Sequence, residues 1–155
     1  RDQCYGKFPY DYLSQGDSRP LKKRLIGEIF WENLMNWKLY PNFSITEMAC
    51  SHCGECDVTP ELMGALQELR NRLGPLVVSS GYRCKDHPVE REKENPGTGA
   101  HCRGLAVDIA CENSSKRHHI LRAAMPTWLG VGVSSKFIHL DRGHPEATRP
   151  ALWTY

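Results

Sequence analysis

The sequence of 155 residues lacks any long apolar run and carries almost no net charge. Without an uninterrupted stretch of about 20 apolar residues, the chain offers no candidate membrane-spanning helix. Twenty Lys and Arg residues against 18 Asp and Glu residues give a formal net charge of +2. So small an excess of positive charge does not indicate a nucleic-acid partner.

The N-terminal residues also lack the charged segment followed by an apolar segment that marks a secretory signal. We therefore expect no signal peptide and synthesis in the cytoplasm. The length lies at the commonest size of a single domain and suffices to bury a sizeable core.

Two segments about thirty residues apart, 99–108 and 137–141, each combine histidine with aspartate. Large apolar residues occupy every second position over residues 105–110 and at Ile138 and Leu140, which predicts strands with one face in the core and the other at a cleft. The alternation places Asp108 on the cleft face of the first strand. It places His139 and Asp141 side by side on the cleft face of the second strand.

These residue types suit a catalytic zinc site. Two imidazoles and one carboxylate supply three protein ligands and leave the fourth tetrahedral position open, which distinguishes a reactive zinc from a structural one. Gly104 allows the backbone to bend so that His101, seven residues before Asp108, returns to the same metal. The alternative is a buried histidine satisfied by hydrogen bonds beside two aspartates at strand ends.

These residues resemble a known family. Ser80, Gly81, Tyr82 and Arg83 form a Ser-Gly-Tyr-Arg segment, followed by His101 with Asp108 and by His139 in a later strand. This pattern is similar to that of the zinc D-Ala-D-Ala carboxypeptidases and related phage peptidoglycan peptidases, whose fold is shared with the hedgehog signalling domain. The resemblance covers roughly residues 43–155.

The resemblance implies an α+β domain in which a small antiparallel sheet carries the site and helices pack on one side. It makes His101, Asp108 and His139 the ligands of Zn²⁺, and Arg83 the group that holds the substrate's carboxylate through its planar fork. The implied activity is hydrolysis of peptidoglycan stem peptides, as a carboxypeptidase or as an endolysin-type endopeptidase. A phage lysis or virion enzyme would reach the wall without a signal peptide.

Two positions depart from the family pattern. Gly99 stands where many members have serine, and Lys136 stands where many members place the catalytic carboxylate. Lysine cannot act as that base, so we assign Asp141, on the same strand face as His139, as the general base. The alternative is that Asp141 accepts a hydrogen bond and orients a ligand histidine.

Two further residues are candidates for substrate binding. Trp153 resembles a family tryptophan and either lines the cleft or anchors the core, since large aromatic residues serve both purposes. His144, three residues after Asp141, is placed to hydrogen-bond to substrate or to the developing oxyanion.

The chain divides into residues 1–40, an N-terminal arm with an amphipathic helix, and the peptidase domain of residues 41–155. The helix is predicted over residues 18–40 from apolar residues at helical spacing. Its apolar face packs on its own domain, or else on a virion component or a second copy of the chain. In the main domain we predict helices over residues 60–73 and 114–125 and a polar loop over residues 85–99.

The seven cysteines leave several possibilities open. Cys50, Cys53 and Cys56 have the tight spacing of structural zinc sites, and Cys84 or Cys4 would supply the fourth ligand. Disulfides or reduced thiols are the alternatives. The odd number leaves at least one thiol free or bound to a metal.

Two functions compete with the peptidase. One is a hedgehog-like module that keeps the zinc but binds a partner without cleavage, which the absence of a carboxylate at Lys136 favours. The other is a virion structural protein in which zinc only stabilises the fold.

Overall fold

A five-stranded sheet organises the residues that this computed structural model describes, 35–144 and 147–155. Its strands in chain order are β1 Val78–Ser80, β2 Ala106–Ala110, β3 Gly130–Val133, β4 Phe137–Asp141 and β5 Ala151–Thr154. They lie in the order β1-β2-β4-β3-β5. With helices packed on the sheet, the predicted α+β class is confirmed.

The direction of β5 differs from the predicted antiparallel arrangement. Strands β1, β2, β4 and β3 pair antiparallel, but β5 runs parallel to β3. After β4 the chain reverses direction and passes to the far side of β3, so β5 points the same way as β3. The sheet is therefore mixed at this one edge.

Four α-helices lie within the described ranges, together with two 3-10 turns. The helices are α1 Ile45–Met48, α2 Pro60–Leu73, α3 Pro88–Arg91 and α4 Ser114–Ala124, and the turns are Trp37–Leu39 and Ala100–Arg103. None of these helices has the length and apolar character needed to cross a bilayer. Helix α3 lies inside the segment predicted as a loop.

Helix α2 has the predicted bounds because its ends carry strong local signals. The Thr59 side chain accepts from the Leu62 N–H, Pro60 occupies the first turn, and Gly74 ends the helix at φ 79°. Helix α4 begins after its cap Asn113 as predicted but ends one residue early. Met125, the last residue of the predicted range, is 49% exposed.

The core lies between one face of the sheet and the two long helices. Val107 and Ile109 of β2 and Ile138 and Leu140 of β4 are fully buried in it. The predicted alternation is confirmed, since Asp108 and His139 point to the opposite face and are register partners across β2 and β4.

Most of the predicted N-terminal helix, together with Cys4, lies outside the described residues. Its last residues form the 3-10 turn Trp37–Leu39 instead of the end of an α-helix. Met35 and Tyr40 are buried in the same core cluster as the sheet residues. The hydrophobic core therefore includes side chains from the segment before residue 41.

Candidate metal centre

His101, Asp108 and His139 each bring one buried atom that could bind a metal ion to the same place beside the sheet. We call these three atoms, and the residues that carry them, the donors. His101 Nε2 lies 3.2 Å from Asp108 Oδ1 and 3.1 Å from His139 Nδ1. Asp108 Oδ1 lies 2.9 Å from His139 Nδ1. Ligands about 2.0–2.2 Å from a tetrahedral zinc ion are separated by roughly 3.3 Å, so this spacing fits zinc.

Each of the two histidines has one ring nitrogen that faces the space between the donors, which we call the donor gap, and one outer nitrogen that contacts an oxygen. His101 Nδ1 lies 2.6 Å from the Gly81 carbonyl oxygen, and His139 Nε2 lies 3.4 Å from Asp141 Oδ2. Since carbonyl and carboxylate oxygens accept hydrogen bonds, we assign a proton to each outer nitrogen. The inner nitrogens then direct lone pairs at each other and at a carboxylate oxygen, an arrangement that a bound cation would stabilise.

Asp108 is suited to be the anionic ligand. Burial alone would raise its pKa, but contacts with His101 and His139 outweigh burial and hold that pKa well below its usual range. The side chain therefore carries its negative charge at neutral pH.

Local backbone structure brings His101 to the strands. The 3-10 turn Ala100–Arg103 ends at Gly104, whose φ is 65°, and β2 follows immediately. A Cβ at Gly104 would lie 2.8 Å from Val58 Cα, so both the conformation and the close approach favour glycine. The predicted bend at Gly104 is confirmed.

Arg83 lies against the three donors. Its Nε donates to Ser80 Oγ at 2.8 Å, and its Nη2 donates to Asp108 Oδ2. Asp108 thus presents one oxygen to the histidines and the other to Arg83. The third guanidinium nitrogen, Nη1, makes a looser contact of 3.6 Å with Glu90 Oε1.

Glu90 is a fully buried carboxylate that the sequence analysis missed. Lys93 Nζ donates to both of its oxygens at 2.8 Å, and Arg83 lies on its other side. Burial opposes its ionisation, but Lys93 and Arg83 outweigh burial and lower its pKa. A Cβ at Gly99, the position where many family members have serine, would lie 2.8 Å from Lys93 Nζ. The Lys93–Glu90 pair therefore fills the space beside position 99.

Asp141 is fully buried behind His139. Arg149 donates to it through Nε at 3.0 Å and Nη2 at 2.7 Å, and the Gly143 N–H donates at 2.9 Å. Although burial would raise the pKa of Asp141, His139 and Arg149 outweigh it and hold that pKa well below its usual range. The imidazole of His139 lies between this carboxylate and the donor gap, which favours the orienting alternative over the general base.

Trp153 lies over the metal side of the sheet. Its ring centroid is 5.4 Å from that of His139, and the Arg149 guanidinium lies 5.1 Å above it. Since Trp153 is half-buried and touches a donor histidine, its position fits the cleft-lining alternative. Sequence analysis missed Arg149, which no local motif distinguishes from other loop arginines.

Lys136 and His144 flank β4, the first before the strand and the second after it. Lys136 is exposed before β4, and its carbonyl accepts from the Cys111 N–H at 2.7 Å. His144 is half-buried beyond β4, where its carbonyl accepts from the Ala147 N–H at 3.3 Å. A substrate contact by His144 stays a prediction.

A second group of donors consists of cysteines. The thiols of Cys50, Cys53 and Cys84 lie within 4.8 Å of one another, whereas Cys56 is buried in the hydrophobic core. The structure thus brings Cys84, one of the two candidates for the fourth ligand, to Cys50 and Cys53, and it does not group Cys56 with them. In the described ranges the free thiols also include Cys102, whose pKa burial and Glu90 raise to about 12. So high a pKa does not suit a nucleophile.

Comparison with known families agrees with this geometry. A family model described as peptidase M15 matches residues 41–141, about two thirds of the chain. No curated protein matches the chain. The matched range contains the three donors, Arg83 and Asp141, and it ends before Arg149 and Trp153.

Proposed function

The chain belongs to the peptidase M15 family of metallopeptidases, and from that premise we propose that it hydrolyses peptide bonds in the stem peptides of bacterial peptidoglycan. The observation that carries the proposal is the buried donor set of two imidazoles and a carboxylate with an arginine on the same carboxylate. His101, Asp108 and His139 would hold Zn²⁺. A bound zinc supplies Lewis acidity that polarises the scissile carbonyl and activates water near neutral pH.

Arg83 recognises the substrate in this proposal. Its Nε and Nη2 are engaged by Ser80 and Asp108, while Nη1 makes the loosest contact of the three. A carboxylate arriving at the Nη1 edge would gain charge-assisted hydrogen bonds. If that carboxylate is the end of the peptide, cleavage is confined to the last bond; if it belongs to a side chain, the same site cuts a cross-link.

The remaining residues hold the reacting groups in place. Asp141 keeps the proton of His139 on Nε2, so that Nδ1 is unprotonated and its lone pair is available to the metal. Trp153 offers an aromatic wall beside His139 against which a peptide stem can pack. Excluding water beside the donors strengthens the electrostatic interactions made there.

A second candidate is a metal-bearing binding module that does not cleave. It is favoured by the exposed Lys136 at the position of the family's carboxylate and by the placement of Asp141 behind His139. Such a module would keep the donor set and Arg83 and would bind the stem peptide intact.

Digestion of defined muropeptides tests the proposal. The zinc-loaded protein is incubated with a pentapeptide stem, its C-terminal amide and a cross-linked dimer, and mass spectrometry follows the products. His101→Ala, which lacks a donor, is the matched control. We expect loss of the terminal residue or splitting of the cross-link by the wild type alone.

The substrate panel also separates the two candidate functions. Cleavage of the free acid but not the amide identifies a carboxypeptidase, and splitting of the dimer identifies an endopeptidase. Failure on every substrate, with binding retained in calorimetry, contradicts the peptidase and supports the binding module.

A further inference from the structure

The cysteine group lies on two separate parts of the chain. Cys50 and Cys53 lie in the turn that follows α1, and Cys84 follows β1. The Cys84 N–H donates to Cys50 Sγ at 3.3 Å, and His52 Nδ1 lies 3.3 Å from Cys84 Sγ. The three sulfurs thus lie within 4.8 Å of one another, and an imidazole nitrogen lies beside the sulfur of Cys84.

The backbone of the turn explains why two of the thiols point together. The Gly54 N–H donates to the Cys50 carbonyl and the Cys50 N–H donates to the Glu55 carbonyl, both at 2.8 Å. Gly54 has φ 75°, which allows so tight a reversal. A Cys-x-x-Cys spacing of this kind is common among zinc ligands. Cys56 lies beyond the reversal and enters the core.

We propose that Cys50, Cys53 and Cys84, with His52 as the fourth ligand, bind a second zinc ion that is structural. A set of three thiolates and one imidazole fills all four tetrahedral positions and leaves none for water. The Cys84 N–H directed at Cys50 Sγ stabilises the negative charge of a thiolate. One disulfide would use only two of these sulfurs and would leave the third beside it unpaired.

The consequence of this second zinc concerns the segment between β1 and Cys84. In that segment Gly81 accepts the Nδ1 proton of His101, and Arg83 contacts Asp108. The Tyr82 N–H donates to the Met48 carbonyl at 2.8 Å, and a Cβ at Gly81 would lie 2.8 Å from Met48 Cα. A metal joining Cys84 to the turn after Met48 would therefore fix the segment that orients His101 and presents Arg83.

Metal stoichiometry tests this site without reference to any peptidase activity. Wild type, Cys53→Ser, Cys84→Ser and Cys56→Ser are purified with zinc, dialysed against metal-free buffer and analysed by mass spectrometry for zinc per chain. We expect about two zinc ions per chain in the wild type and in Cys56→Ser, and about one in Cys53→Ser and Cys84→Ser. Cys53 is exposed, so its variant is expected to fold even if Cys84→Ser does not.

Cobalt and thiol measurements complete the test. Cobalt-loaded wild type should show thiolate-to-metal charge-transfer absorption that Cys53→Ser loses, and His52→Ala should release its second metal to a chelator faster than wild type. Full zinc content in Cys53→Ser, loss of one zinc in Cys56→Ser, or a disulfide between any two of the three thiols in the purified protein would each overturn the proposal.

Discussion

At the scale of single residues, the two aspartates next to His139 differ in what they contact. Asp108 Oδ1 faces both histidine donors, whereas Asp141 lies on the far edge of the His139 ring. Arg149 and the Gly143 N–H occupy the oxygens of Asp141. A carboxylate so engaged is suited to fixing the orientation and tautomer of an imidazole and poorly suited to taking a proton from water.

Replacement of Asp141 by asparagine separates these roles. Asparagine removes the negative charge that holds His139 Nε2, so we expect zinc affinity to fall by about 10- to 100-fold. Activity on the muropeptide substrate should return when zinc is raised to saturation. Zinc titration of activity and of metal binding in wild type and Asp141→Asn provides the measurement.

The matched control is Asp108→Asn, which alters a donor and should stay inactive at any zinc concentration. If Asp141→Asn is also inactive when circular dichroism shows it folded and metal analysis shows it loaded, Asp141 is the general base and the orienting role is wrong.

Arginine at position 83 is expected to be irreplaceable by lysine. A lysine keeps the charge but loses the fork that contacts Ser80, Asp108 and the incoming carboxylate together. Loss of a charge-assisted hydrogen bond costs about 1.5–3 kcal/mol, so KM for a stem peptide with a free carboxylate should rise roughly ten- to hundredfold. Steady-state kinetics on the free acid and the amide measures the effect.

Arg91→Lys, an exposed arginine in α3, serves as the control and should leave KM unchanged. Equal KM values for Arg83→Lys and wild type on the free acid would remove Arg83 from substrate recognition.

At the scale of elements, strand β3 has glycine at two positions where a side chain would collide with neighbouring residues. A Cβ at Gly130 would lie 2.6 Å from Arg149 Nε and would collide with the Asp141 carboxylate. A Cβ at Gly132 would lie 2.8 Å from the rings of Trp153 and Tyr155. The two glycines thus allow the residues behind and above His139 to approach the sheet closely.

Gly130→Ala should therefore destabilise the protein by about 1–3 kcal/mol, because the Asp141–Arg149 pair is buried and cannot move aside without loss. Gly64→Ala in α2 is the matched control, since nothing lies within 4 Å of its Cβ position. It should stabilise the protein by about 0.5–1 kcal/mol through helix propensity. Urea unfolding of both variants measures the difference, and equal stabilities would show that β3 is not constrained by that pair.

Local patterns predicted strands β2 and β4, helices α2 and α4 and the three donors, but not the residues that support the donors. Alternation along β2 and β4 is a period-two signal, so it predicted that Asp108 and His139 both lie on the cleft face of the sheet. Helix α2 followed from apolar residues at helical spacing after Pro60 and from Gly74 and Pro75 at its end. These features depend on residues close in sequence, which is why they could be predicted from it.

The supporting residues depend on contacts between distant segments. Arg149 reaches Asp141 from the connection before β5, and Glu90 reaches Arg83 from α3. Nothing in their immediate neighbours distinguishes them from other polar residues. Cys56 was grouped with Cys50 and Cys53 by its spacing, and that spacing does not reveal the reversal at Gly54, beyond which Cys56 enters the core.

At the scale of the whole molecule, the three candidate metal ligands and the hydrophobic core lie on opposite sides of the sheet. The core cluster joins the inner face of β2 and β4 to α2 and α4, and it contains none of the three donors. Its apolar burial does not require a cation. The fold should therefore persist without metal, unlike small zinc modules whose folding depends on their ion.

Removal of metal by a chelator is expected to lower Tm while leaving the secondary structure in place. A ligand present at about 1,000 times its Kd adds about 4.1 kcal/mol to the folded state. For a domain of this size, losing that amount lowers Tm by on the order of 15 °C. Far-ultraviolet circular dichroism before and after chelation should show the same spectrum at 25 °C, and added Zn²⁺ but not Mg²⁺ should restore Tm, because imidazole and thiolate ligands suit zinc and not magnesium. Loss of the spectrum on chelation at 25 °C would show instead that the metals, and not the apolar face of the sheet, hold the domain together.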